Sequence, residues 1–170
     1  AKKRPEEIVT FLGVGFETTA PTTAAAVVEA ASEGLDNFTI LAAHRVIPPA
    51  LVALLTGDGK SDFRIDGFLA PGHVSTILGT KPYGFIAEEH RRPVVVAGFS
   101  AEDMLLGIDW LLKQMVEGRA EVENAYPRVV KEEGNPTALA LLDRVFRPVD
   151  SVWRGLGPLP ASGLALVDEY

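Results

Sequence analysis

A surplus of acid, 23 acidic against 16 basic residues in a 170-residue chain, gives a net charge of -7, which opposes nonspecific attraction to nucleic acid or anionic lipid. The composition, 47% hydrophobic and 23% charged, is that of a globular chain large enough to bury one core, and the absence of cysteine excludes disulfides, thiolate nucleophiles and thiolate-ligated zinc or iron-sulfur clusters within it. No apolar run reaches the roughly eighteen residues of a membrane span, and the basic start AKKRPEEI leads into a strand-like segment, so a soluble, cytoplasmic protein is expected.

The chain begins at Ala1 and ends on LALVDEY just after a strand-like run, as expected of a piece of a larger protein. Four apolar runs stand out in chain order: IVTFLGVG (8 to 15), FTILAAH (38 to 44), IDGFLAPG (65 to 72) and PVVVAG (93 to 98). Their spacing leaves room for one helix between successive strands, the size of a βαβ unit. They are nearly continuous in apolar character, the mark of parallel strands covered on both faces. The spacing therefore predicts an α/β fold, a Rossmann-like three-layer sandwich with a mostly parallel sheet.

Helix signals fall between the runs. Thr18 or Thr19 is placed to cap a helix with Pro21 in its first turn and Gly34 at its end. Pro48 and Pro49 open a second. Ser100 followed by Asp103 resembles a capping box with a shortened acid, ahead of MLLGIDWLLKQMVEG. On that helix Leu105, Ile108, Leu112 and Met115 share one face, which reads as core. YGFIAEEH is a further short helix. The last third mixes an irregular stretch, a helix opened by Asn135 and Pro136, and a loop rich in glycine and proline before a final strand. The organisation expected is one α/β domain over 1 to 170, with core βα units over 8 to 118 and the irregular segment, helix and last strand over 119 to 170.

In an open parallel sheet, ligands bind beyond the carboxyl ends of the strands. That rule gathers GFETTAPTT, HRVIPP, APGHVS and AGFSAED on one edge. Thr18, Thr19, Thr22 and Thr23 exceed what capping requires; their hydroxyls and the helix-start N-H groups suit an anion or a polar diatomic ligand, while small core-facing side chains are the plainer reading. Glu17 complements a helix dipole, pairs with an arginine, or carries a proton beside a ligand. His44 and His73 close successive strands, where each alone serves as a structural hydrogen-bonding group. With Glu17 they make a two-histidine, one-carboxylate set of the kind that suits non-haem iron, although no local spacing supports it. GVGFET lacks the third glycine of a dinucleotide fingerprint, and no G-x-S-x-G is present. Further on, Asn124, Tyr126 and Arg128 read as an ordinary polar loop or a partner surface, tyrosine and arginine being residue types that anchor interfaces.

GFETTAPTTA (15 to 24), HRVIPPA (44 to 50), IDGFLAPGHVSTILG (65 to 79), PVVVAGF (93 to 99) and EVENAYPRVVKEEGN (121 to 135) together resemble the motifs of the HypD hydrogenase maturation factor family, in its order. The resemblance implies a multi-domain scaffold for assembly of the Fe(CN)2(CO) centre of [NiFe] hydrogenase, with two α/β domains across a cleft and a cysteine-ligated [4Fe-4S] cluster. It implies a HypC-like chaperone and a HypE-like cyanide donor as partners, and it makes this chain the second α/β domain. Because the chain has no cysteine, the thiolates of cleft and cluster belong to regions it lacks. The resemblance assigns the chain to one wall of the cleft, non-catalytic by itself, with hydroxyls and N-H groups donating to cyanide nitrogens and His73 orienting or protonating near the iron. A free-standing α/β enzyme or anion-binding module using Glu17 and His73 as an acid-base pair is the alternative, and a purely protein-binding module a third.

Overall fold

The computed structural model describes residues 1 to 57 and 64 to 170, which fall into two compact units: 1 to 50 with 137 to 170, and 51 to 136. In the first unit, β1 (Val9–Gly15) runs parallel to β2 (Phe38–His44), with Val9 opposite Phe38 and Gly15 opposite His44. Helix α1 (Ala20–Ser32) makes the crossover between them. Its alanines are small enough for close packing: Ala20 and Ala24 are fully buried and, with Val27, Val145 and Phe146, form this unit's core. Gly34, at φ +64°, follows the helix where the left-handed turn favours glycine. The N-cap is Thr19, yet its side chain makes no cap bond. Its hydroxyl donates back to the Phe16 carbonyl (3.2 Å), so the expected threonine cap is absent.

Within α2 (Ile47–Thr56) the chain enters the second unit, which holds a three-stranded parallel sheet in the order β3 (Phe68–Pro71), β4 (Val94–Ala97), β5 (Val122–Asn124). Every residue of β4 is buried, as its unbroken apolar run requires of a central strand. Helix α3 (Gly72–Leu78), a 3-10 turn (Lys81–Tyr83) and α4 (Gly84–Glu88) lead from β3 to β4, and α5 (Ala101–Glu117) from β4 to β5. The core gathers Ala70, Tyr83, Ile86, Val94, Val96 and Val130. Ser100 caps α5 by accepting the Asp103 N-H (3.2 Å), as the capping-box pattern predicts.

Helix α6 (Pro136–Val145), opened by its proline, returns the chain to the first unit. There β6 (Phe146–Trp153) and β7 (Gly157–Leu166) form an antiparallel pair with an irregularity between Val149 and Ser151. Only the second of these strands is expected from the sequence. The closing glycines and prolines do not break the ladder; they mark the tight turn and the irregular register that an antiparallel pair tolerates. The result is mixed α/β, with two separate parallel groupings and one antiparallel pair among the described residues.

Three expectations need correction. The face of α5 with Leu105, Ile108, Leu112 and Met115 is exposed, not core; the buried side is Asp103, Gly107 and Gln114. Continuous apolar character does not mean cover on both faces for β1, where Phe11, Leu12 and Val14 are all exposed. Nor are β2 and β3 strands of one sheet among the described residues, since β2 pairs with β1 and β3 with β4.

Candidate functional site

The carboxyl ends of β1 and β2 carry most of the residues that the sequence singles out. Glu17 is 1% exposed, held in the short turn between β1 and α1. One carboxylate oxygen, Oε1, accepts the Ile47 N-H at the first turn of α2 (2.7 Å), so Glu17 complements a helix dipole, but that of α2 and not of the α1 helix that follows it. The other oxygen, Oε2, is buried with no partner. Burial raises the Glu17 carboxyl above the usual range, opposed in part by the Ile47 N-H and by its own backbone N-H.

His44 ends β2 fully buried. Its Nε2 lies 3.5 Å from Thr23 Oγ1, and Nδ1 has no partner. The ring packs 5.8 Å from that of Phe146 and against Gly13, where an added Cβ would stand 2.8 Å from His44 Cε1. Desolvation lowers its pKa, which keeps the imidazole neutral. The strand end is fixed from the far side as well: the Arg45 N-H donates to Gly15 O, Arg45 bridges to Gly163, and the Val46 N-H donates to Ser162 O.

The four threonines divide. Thr23 is buried, donates to Thr19 O (3.3 Å) and meets His44. Thr19 is exposed, but its hydroxyl points back to the Phe16 carbonyl. Thr18 and Thr22 are exposed. Phe16 stands beside them, 6.0 Å from Trp153. Glu17, Thr23 and His44 are thus brought to one end of the first unit.

His73 belongs to the second unit. It is exposed at the start of α3, its ring 4.4 Å from Phe99 in the loop after β4. Nearby, the Arg128 guanidinium donates to Asp103 and lies 4.4 Å above the Tyr126 ring. Arg128 holds the buried Asp103 carboxyl below the usual range. Tyr126 is half-buried; a Cβ at Gly98 would stand 2.7 Å from its ring. Asn124 works inside the fold, its side chain donating to Val130 O (2.9 Å) and accepting the Tyr126 N-H (2.9 Å). Asp103 and Phe99 escape a reading by motif: the capping box places Asp103 on α5 but not its ion pair, and the His73 stack depends on two loops meeting.

Among the described residues, no three His, Asp or Glu side chains stand where they hold a metal ion. The site offers hydroxyls, a neutral imidazole and a buried carboxylate.

Comparison with known proteins bears directly on this chain. The family model described as Hydrogenase formation hypA family (HypD) matches residues 1 to 170. Over its whole length the chain is 46% identical to the hydrogenase maturation factor HypD of Rhodobacter capsulatus, covering 45% of that protein. It is 42% identical to a putative hydrogenase expression/formation protein of Methanocaldococcus jannaschii and 43% to the HypD of Escherichia coli, covering 46% and 45% of those proteins. The chain therefore spans less than half the length of these relatives. Matched from end to end by the family model and by relatives named as maturation factors, it belongs to the HypD family.

Proposed function

We propose that the chain is a non-catalytic part of a cytoplasmic scaffold protein on which the Fe(CN)2(CO) centre of [NiFe] hydrogenase is assembled, the carboxyl ends of β1 and β2 forming part of one cleft wall in the complete protein. The observation that carries it is the end of the first unit, where Thr18 and Thr22 are exposed beside buried Glu17, in a chain whose relatives are named hydrogenase maturation factors. The iron centre is cargo, and thiolates for it come from outside these 170 residues, which contain no cysteine. The same holds for a [4Fe-4S] cluster. In the same proposal β1 and β2 are part of a larger Rossmann-like sandwich, and a HypC-like chaperone and a HypE-like cyanide donor meet the complete protein.

The contribution of this chain is polar shape. Hydroxyls of Thr18 and Thr22 donate to cyanide nitrogens, whose partial negative charge suits donors fixed before the ligand arrives. Glu17 holds the turn that carries Thr18 by bonding the start of α2. The test replaces Thr18 and Thr22 by valine, singly and together, in the complete protein and records the infrared cyanide stretches of the bound centre. Shifted stretches with retained or reduced occupancy are expected. Unchanged frequencies and full occupancy in the double variant would remove both hydroxyls from the wall.

A further inference from the structure

Helix α5 meets the sheet through the side that carries Gly107 and leaves an apolar stripe on the opposite side. On the inner side Gly107 lets the helix lie close to the strands: an added Cβ would stand 2.7 Å from Ala97 Cβ and 2.8 Å from Leu69 Cδ1. On the outer side Leu105, Ile108, Leu112 and Val116 are 67, 42, 55 and 89% exposed. Spacings of three, four and four residues align them in one stripe along a helix about 25 Å long. Met115, also exposed, widens it on the Ile108 side. The flanking charges of Asp109 and Lys113 bond one another (2.6 Å) and leave the stripe itself apolar.

A contiguous apolar stripe of this kind marks an interaction surface. We infer that the outer face of α5 is an intramolecular interface, covered in the complete protein by an amphipathic helix from the polypeptide outside residues 1 to 170. Three observations favour that occupant. More than half the length of the relatives lies outside the matched segment, which supplies the chain to do it. The three-four-four spacing presents the ridge that a second helix packs against along its length. An apolar interface core resembles a domain core divided in two, the character of permanent interfaces. The inference is independent of any role in iron-cyanide assembly.

The experiment uses the complete protein, with Leu112→p-benzoylphenylalanine introduced as a photoreactive group and the cross-linked peptides identified by mass spectrometry. The expected product is an intrachain link from position 112 to a segment outside 1 to 170. Links to a second copy, to another protein or to residues within 1 to 170, or no link at all, overturn the inference. Hydroxyl-radical footprinting of the unaltered protein provides a check without substitution. Leu112 and Met115 are expected to oxidise several-fold more slowly in the complete protein than in the 170-residue chain, and equal rates count against the interface.

Discussion

Glu17 sets a cost that pH can reveal. A buried carboxylate with one oxygen bonded and the other unpartnered is held above its ordinary pKa by desolvation. Between the ordinary carboxylate range and that raised native value, the folded protein keeps a proton that the unfolded chain has released, so stability falls as pH rises through this window. His44 acts at the other end: its native pKa is lowered, so stability falls as pH drops below the ordinary imidazole range. Glu17→Gln retains an acceptor for the Ile47 N-H and removes the charge. It is expected to be more stable than the parent at pH 8 by about 1–3 kcal/mol, the scale on which burying a charged group costs more than burying a neutral polar one, with the gain fading on acidification to pH 4. Urea unfolding at the two pH values measures it; a gain of equal size at both would show that the charge is not the cause. The sequence identifies Glu17, His44 and the threonines because strand ends and helix starts are local features. It does not identify the Ile47 N-H as the partner of Glu17, because that contact joins segments thirty residues apart and has no periodicity of its own.

Elements were legible where a single periodicity governs them. The four apolar runs become β1 to β4 with bounds shifted by a few residues, and βα alternation gives the parallel pairings. Amphipathicity misleads for α5, since its apolar stripe lies on the side away from the sheet; Gly107 decides which side meets the strands by close approach. The stretch 124 to 135 offers a different lesson, reading as a solvated loop although its end is fastened to the end of α3. The Asn135 N-H donates to Ile77 O (2.9 Å) and the Thr80 N-H to Glu132 O (3.1 Å). Between these bonds Gly79 and Gly134 pass backbone to backbone, at φ +80° and +70°. A Cβ on Gly134 would stand 2.2 Å from Ile77 O and 2.6 Å from Gly79 N, against atoms that cannot rotate aside. Gly134→Ala is therefore expected to cost about 3 kcal/mol or more, combining left-handed strain with overpacking. Thermal unfolding checks it. A loss below about 1 kcal/mol would mean that the loop detaches freely from α3.

At the scale of the whole chain, the two units differ in how they are threaded. The second, 51 to 136, is continuous, whereas the first is assembled from 1 to 50 and 137 to 170. Nothing in a linear pattern announces this, because the return of α6, β6 and β7 to the first unit is a matter of tertiary pairing. Each unit has its own core, and the two cores ask for different pieces of chain. That of the second unit draws Ala70, Tyr83, Ile86, Val94, Val96 and Val130 from one stretch, with Leu51 and Leu55 of α2 packed against them. That of the first needs Ala20, Ala24 and Val27 from one segment and Val145 and Phe146 from the other, and the end of β2 is held by Gly163 and Ser162 of β7. A fragment of residues 47 to 136 is thus expected to unfold cooperatively by itself, whereas 1 to 50 alone shows no transition until 137 to 170 is supplied. Circular dichroism through a urea titration distinguishes the cases: a sigmoidal curve with a definable midpoint for 47 to 136, and a drift without one for 1 to 50. A non-cooperative drift for 47 to 136 would show that its core depends on the first unit, because every residue of the core cluster is present in that fragment and the missing stabilisation has no other source in the chain.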